Sequence, residues 1–373
     1  MIWIVYLIPL TTLVVLLLLT GSQNYWGYGI TAAISLALLY LIHYLFKRYY
    51  NSSTEYHGAY VIYATYYEAW NELVVYYETV SEPYTDSNGR TAYRTRQVRR
   101  TRVVYHPPYW SWVTNTGKEE IISKSNYNEL CQMWGGKEEF IDMHRSYHTI
   151  DGDAYRCYWN KKEMSCITLT YKESYINPLK HSNSVFRYKK VTKEEAKQLN
   201  LHAHPPISYN DQEAIVGDHF NQRVHERFRY INAIEGLRRQ IRIYILVFDS
   251  KKHHVEVAER QRAYWNGGAK NEFVICLGMD GEKVDWCHTF SWMDQPTLGV
   301  KVEGYFHENT KPDMMHFSNW LGENLHLWKR KEWKDFKYLG LKLSTTQQIL
   351  LVIAAGGLSY LAYYLIMIER IFI

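Results

Sequence analysis

Both ends of the chain carry long runs without a single charge, and these restrict what it can fold into more than any motif does. Ile2 to Thr20 and Tyr28 to Phe46 are uncharged, each about 19 residues, enough for a helix to cross a hydrocarbon core of about 30 Å. A third uncharged run extends from Thr345 to Ile368, with Gly356 and Gly357 near its middle. Residues 2–20 lack the basic start and the small-residue exit of a signal peptide, and a second apolar run follows closely. The pattern predicts three transmembrane helices, two as a hairpin over residues 1–46 and one over residues 345–373. Pro9 is tolerated in a membrane helix whose freed carbonyl a neighbour can satisfy. Tyr25, Trp26 and Tyr28 at the hairpin tip suit the headgroup layer.

Orientation is read from Lys and Arg close to the spans. Lys47 and Arg48 follow the second run, and Lys329, Arg330, Lys331, Lys334, Lys337 and Lys342 precede the third, whereas the far side offers Arg370 beside Glu369. The count places the central region and the N-terminus in the cytoplasm, of a bacterial inner membrane. The five cysteines, Cys131, Cys157, Cys166, Cys276 and Cys287, form no C-x-x-C pair and no regular spacing. They read as buried free thiols, not as a disulfide framework or a thiolate zinc site. His43, the one titratable group inside a span, reads as interfacial, so a transport pathway has little support.

The central segment divides by periodicity. Residues 47–190 are rich in Tyr, Val and Thr, as in AYVIYATYYEAW, NELVVYYETVSE and RTAYRTRQVRRTRVVYH, and predict an antiparallel β domain. Asn88-Gly89 is a hairpin turn between two long strands, and Asp151-Gly152 is a second turn. One helix is expected, from Lys124 to Trp134 after a Ser123 cap. From residue 191 to 344 the pattern becomes mixed. Thr192 caps a short helix, and Phe220, Val224, Phe228, Ile231 and Ile234 mark an amphipathic helix within Asp218–Gln240. IRIYILVFD is a strand buried on both faces. The helix VEVAERQRAYW, the turn NGGAKN, the strands EFVICLGMD and VDWCHTFSW, and a last helix from Pro312 to Lys331 complete an α/β sandwich.

Between Gln240 and Trp292, the apolar strand, the helix ending in Tyr264-Trp265, the Gly267-Gly268 turn, Lys270-Asn271 and the strand Phe273–Gly278 together resemble the TPM domain family. The resemblance implies a small, membrane-tethered α/β sandwich, with roles in membrane-protein maintenance, receptor modulation or phosphatase activity. Where that family has an Asp-Arg pair this chain has Asp280-Gly281-Glu282-Lys283, a departure at the turn that, beside Asp142, His144, Asp151 and Asp153, is the other candidate for binding a divalent metal in a hydrolase. The full layout also resembles an uncharacterised group of bacterial and phage membrane proteins. The fold class expected is therefore a membrane-anchored α+β protein: three transmembrane helices, an antiparallel β-rich region and a TPM-like α/β sandwich.

Three groups of residues are candidates for chemistry. Asp142, His144, His148, Asp151 and Asp153 are dense enough in donors to hold a divalent metal if they converge, but on a strand His144 and His148 lie about 13 Å apart, and Asp151 is explained by its turn. Arg94, Arg96, Arg100 and Arg102 form a positive row on one strand face; with Lys329, Arg330 and Lys331 they are candidates for membrane-surface or anion contact. The alternative is a solvated face protected from pairing by its charge. Asn266–Asn271 offers backbone N–H groups to an anion but lacks the G-K-[ST] ending of a phosphate loop, and fits a helix C-cap better. His202, His204 and His253-His254 read as loop residues.

The function expected is that of a non-enzymatic interaction or scaffold protein, with no cofactor, the lipid bilayer and another membrane protein as partners, and nucleic acid unsupported by any motif. The alternatives are a metal-dependent, phosphatase-like hydrolase and a phage-encoded envelope protein acting on a host membrane.

Overall fold

The computed structural model describes residues 2–20, 25–85, 87–145, 148–150, 152–181, 188–207, 209, 213–217 and 220–365. Helices α1 (Leu7–Thr20) and α2 (Tyr25–Tyr50) open the chain, α1 after a 3₁₀ turn over Ile2–Tyr6. Of the apolar helices, α2 and a C-terminal helix starting at Thr345 are long and apolar enough to cross a membrane. The first of the three expected spans is shorter, because α1 covers only about 21 Å at 1.5 Å per residue. Pro9 sits in the first turn of α1, where its missing N–H costs nothing.

The β-rich region is built on one strand, β1 (Ser52–Tyr67). It is followed by β2 (Trp70–Thr85), β3 (Thr91–His106), β4 (Tyr109–Thr114) and β5 (Glu119–Ile122). Helix α3 (Lys124–Met133) begins where the sequence places it, with the Ser123 side chain accepting from the Asn126 N–H. Then come β6 (Glu138–Ile141), β7 (His148–Ile150), β8 (Ala154–Tyr158) and β9 (Thr168–Ile176). The first half of β1 pairs with β9, and the second half lies between β4 and β8, all antiparallel. α3 packs on this sheet through Tyr127, Leu130 and Cys131.

Here the cysteine expectation is corrected. Cys131 on α3 and Cys157 on β8 form a disulfide across 5.6 Å between their Cα atoms. They are 26 residues apart in sequence, so no spacing rule finds the pair; only the packing of α3 on β8 does.

The hairpin β2–β3 departs from this body. Its 16-residue strands pair along their whole length, while among the described residues the outer side of β2 meets β7 alone, at Asn71 and Glu72. Both faces of most of the ribbon meet solvent: Tyr93 is 71% and Tyr77 66% exposed on one, and Tyr84 is 44% and Tyr76 43% exposed on the other. Two-stranded ribbons gain little stability alone, because neither face is buried.

The remaining elements are α4 (Lys193–Gln198), β10 (Ile215–Val216), α5 (Gln222–Arg239), β11 (Arg242–Asp249), α6 (Glu256–Tyr264), β12 (Glu272–Asp280), β13 (Lys283–Ser291), α7 (Thr297–Glu308) and α8 (Met314–Asn324). β10, β11 and β12 are parallel and β13 is antiparallel, in the order β10-β11-β12-β13. β11 is buried on both faces: Ile243 and Ile245 meet α5, α7 and α8, and Tyr244, Leu246 and Phe248 meet the α6 side. Each such apolar side chain contributes about 1.5–3 kcal/mol. Helix α7 was not expected. Gly299, Gly304 and several β-branched residues mask it, yet Leu298, Val302, Tyr305 and Phe306 give it a buried stripe. The helix expected over Pro312–Lys331 is α8, followed by a 3₁₀ turn over Leu325–Leu327.

The last helix, α9 (Thr345–Tyr363), starts on a capping box between Ser344 and Gln347. It packs with α1 and α2 around Val5, Leu39, Leu351 and Ala355. The outer sides of the three helices leave large apolar residues exposed, among them Leu18, Leu19 and Ile353. His43 faces inward, is buried, and is 2.6 Å from the Tyr6 hydroxyl; that partner, from another helix, is invisible to a reading of α2 alone.

Candidate functional site

Where α2 ends and β1 begins, the polypeptide borders a cavity of about 820 Å³. Tyr50, Ser52 and Thr54 form one wall, Tyr175, Asn177, Lys180 and His181 a second, and Trp265, Gly268, Lys270 and Glu272 a third. The level of this cavity is fixed by contacts between helix ends. Asn51 Nδ2 donates to the Lys342 carbonyl at 2.7 Å, and Gln347 Nε2 donates to the Phe46 carbonyl at 3.3 Å.

The third wall owes its shape to a helix stop. Asn266, Gly267 and Gly268 all have positive φ, and the Gly267 N–H donates back to the Arg262 carbonyl at 2.8 Å, as in a left-handed helix cap. The Ala269 N–H that a bound anion would need already donates to Glu272 Oε2 at 2.8 Å. The turn is therefore a cap, as its sequence suggested, and its task is to drive Lys270, Asn271 and Glu272 inward. All three are buried.

The inward-driven residues join a network of charges drawn from both halves of the chain. Asn271 Nδ2 donates to the Tyr56 carbonyl at 2.8 Å and lies 3.4 Å from His57 Nδ1. His57 Nε2 is 3.4 Å from Glu55 Oε2 and 3.6 Å from Glu173 Oε2. Arg330 forms a close ion pair with the same Glu55 oxygen. His204 Nε2 is 2.8 Å from Glu272 Oε1. Arg242, cross-strand neighbour of Glu272, is 1% exposed; its guanidinium lies 5.1 Å from the Tyr244 ring centre, with Nε and Nη1 lacking a hydrogen-bond partner among the described residues.

These surroundings set the charge states. Burial, reinforced by repulsion from Arg330, lowers the Lys270 ammonium to about 8. Burial would raise Glu55, but hydrogen bonding from His57 and the charge of Arg330 hold it below the usual carboxylate value. Burial would lower His204, and its bond to Glu272 outweighs that and raises it. Burial raises Tyr175 and Tyr244.

Among the described residues, Glu55, His57 and Glu173 are the donors that converge closely enough to hold a metal ion. Arg330 already neutralises the Glu55 oxygen, and the Asn271 amide lies against His57 Nδ1. The arrangement is that of a charge network.

Apart from Arg330, the residues singled out from sequence lie elsewhere. Asp142 and His144 are together, with 3.3 Å between Oδ2 and Nδ1, on an exposed segment. Asp153 Oδ1 instead accepts from the Met143 N–H at 3.3 Å. Asp151 and the side chain of His148 lie outside the described residues. Arg94, Arg96, Arg100 and Arg102 do share one face of β3, but Arg96 pairs with Glu82 at 2.9 Å and Arg100 with Glu78 at 3.0 Å. Arg94 is 3.9 Å from Glu82, and Arg102 lies 6.0 Å from the Tyr76 ring centre. Of the basic trio near α9, Lys329 meets Asp294 at 3.4 Å, Lys331 joins the backbone at Trp292, and Arg330 turns inward to Glu55.

Sequence reasoning missed Glu55, His57, His204, Arg242 and Glu272, and used Lys270 only as a turn residue. One signal was available: Arg242 and Glu272 open two apolar strands that register side by side, where a charge must find a partner. No protein-family model, curated protein or solved structure matches this chain.

Proposed function

We propose that the chain is a membrane-anchored, non-enzymatic interaction protein whose β2–β3 ribbon engages a protein partner. The observation carrying this reading is the ribbon itself. One face presents Tyr77, Tyr93, Val103 and Tyr105 to solvent, the side-chain types that anchor interfaces, while on the opposite face Arg96 and Arg100 pair with Glu82 and Glu78 between the less exposed Tyr76 and Tyr84. Up to about 50 Å of extended chain, at about 3.3 Å per residue, separates the end of α2 from the ribbon's base, so its task is reach, not lipid contact.

Anchoring is supported by the exposed apolar sides of α1, α2 and α9; the most apolar stretches of α2 and α9 are only 17% and 28% buried, where a soluble core helix is enclosed. The TPM-like reading of residues 191–344 draws support from a four-stranded sheet with helices on both faces and from the Trp265–Gly268 turn. For the compartment, the Lys and Arg count favours the cytoplasm of a bacterial inner membrane, and the Cys131–Cys157 bond favours an oxidising side. We give the covalent bond more weight and place the central part outside the cytoplasm. The hydrolase reading stands second, on the convergence of Glu55, His57 and Glu173. Alkaline extraction of membranes tests the anchor: the full chain should stay in the pellet, and release into the supernatant would overturn it.

A further inference from the structure

We propose that the cavity at the end of α2 binds the phosphate of a lipid headgroup. This rests on the membrane-anchored reading and names a partner for a surface that reading leaves unassigned.

Position comes first. Tyr50 is the last residue of α2 and also part of the cavity wall, and Asn51 is hydrogen-bonded to Lys342, two residues before the Ser344 cap of α9. The mouth is therefore level with the ends of both long apolar helices, where headgroups lie. Its volume of about 820 Å³ suits a headgroup and its glycerol.

Charge comes second. Lys180 and Lys270 line the cavity against one carboxylate, Glu272, and Lys270 is 1% exposed. His204, also in the lining, shares the Glu272 carboxylate, so the cavity lining carries more cationic than anionic groups. Cationic groups gathered at a cavity call for an anion, and next to the lining residue Glu272 its cross-strand neighbour Arg242 has Nε and Nη1 without a hydrogen-bond partner among the described residues. At the rim, Lys180 and His181 add cationic groups, and Lys180 Nζ donates to a neutral carbonyl, that of Ser52, at 2.6 Å. Because Glu272 occupies the backbone N–H of the turn, recognition falls to side chains, which favours a charged phosphate over a neutral headgroup.

The test uses the full chain in a neutral detergent, with Trp265 and Trp292 in the cavity wall as fluorescent reporters. Dioctanoyl phosphatidylglycerol, glycerol phosphate and dioctanoylglycerol are titrated separately. The phosphatidylglycerol should give a saturable change, and Lys270→Met should weaken it about tenfold, the worth of one charge-assisted contact. Lys180→Ala, on the rim and removable without disturbing the core, should also weaken it. Glycerol phosphate binding as tightly as the lipid would overturn the lipid assignment in favour of a soluble phosphate ester. Equal binding of dioctanoylglycerol, or no saturable change with either phosphate probe, would overturn the phosphate site. The last result, from a chain that still pellets with membranes after alkaline extraction, would leave the anchored reading standing.

Discussion

Gly58 on β1 touches the backbone of Asn232 on α5: a Cβ added at Gly58 would stand 2.0 Å from the Asn232 carbonyl oxygen. Gly236, one turn on, also approaches Gly58, since its own Cβ would lie 2.7 Å from the Gly58 nitrogen. A strand of the β-rich region and a helix of the α/β layer thus meet backbone to backbone. Asn232 completes the joint, exchanging hydrogen bonds with both the N–H and the carbonyl of Ile243.

That contact makes Gly58→Ala strongly destabilising, by about 3 kcal/mol, since neither backbone can yield without unseating β1 or α5. Gly304→Ala is the control: it lies inside α7 with nothing near its Cβ position, and should stabilise by about 0.5–1 kcal/mol. Denaturant melts of the two variants check this. Equal, small effects would mean that the two layers do not pack as described.

Cysteine labelling tests the covalent tie between α3 and β8. In denaturant without reductant, alkylation should modify Cys166, Cys276 and Cys287 and spare Cys131 and Cys157. Reduction should then expose all five. In the native chain even the free thiols should react slowly, since burial pushes the Cys166 thiol up to about 12 and raises Cys276 and Cys287 as well. Five labelled cysteines before reduction would return the central part to a reducing compartment.

His288 gives the α/β layer a pH-dependent component. Hydrogen bonding to Glu303, with a further contribution from Glu259, overcomes burial and raises it above its ordinary 6.5. Its stabilisation is complete below about 6.5 and is lost as pH climbs through the raised value. Burial would raise Glu303, but bonds from His288 and Thr289 hold it below its ordinary 4.5, so its share is present above that value and lost as pH falls through the lowered one. Stability attributable to the pair should therefore peak between the two windows. His288→Asn should flatten the decline between about pH 6 and 8, and a decline unchanged in that variant would assign it to other groups.

The legible parts of this fold were those set by local rules. The Ser123 and Thr192 caps, the Asn88-Gly89 hairpin, the apolar strand from Arg242 and the stripe of α5 all follow from periodicity and capping within one segment. Helix α7 was hidden by residues poor in helix propensity, and only the buried stripe from Leu298 to Phe306 forces it. The Cys131–Cys157 bond and the charge network escaped for one common reason. Each joins residues that are distant along the chain, and Glu55 and Arg330, or Asn271 and Tyr56, carry no mark of each other until β1 passes beside the head of β12. The Arg row was legible as a face, but its Glu78 and Glu82 partners depend on the register of the ribbon.

The central claim is that the tyrosine face of the ribbon meets a protein partner, and photocrosslinking in native membranes tests it most directly. A photoreactive residue placed in the full chain at Tyr77, Tyr93 or Tyr105 should give one adduct of common added mass. The same probe at Arg100 on the opposite face, or at Lys193 on α4, should not give it. Adducts absent from all three tyrosine positions, or equally strong from Arg100 and Lys193, would contradict the account.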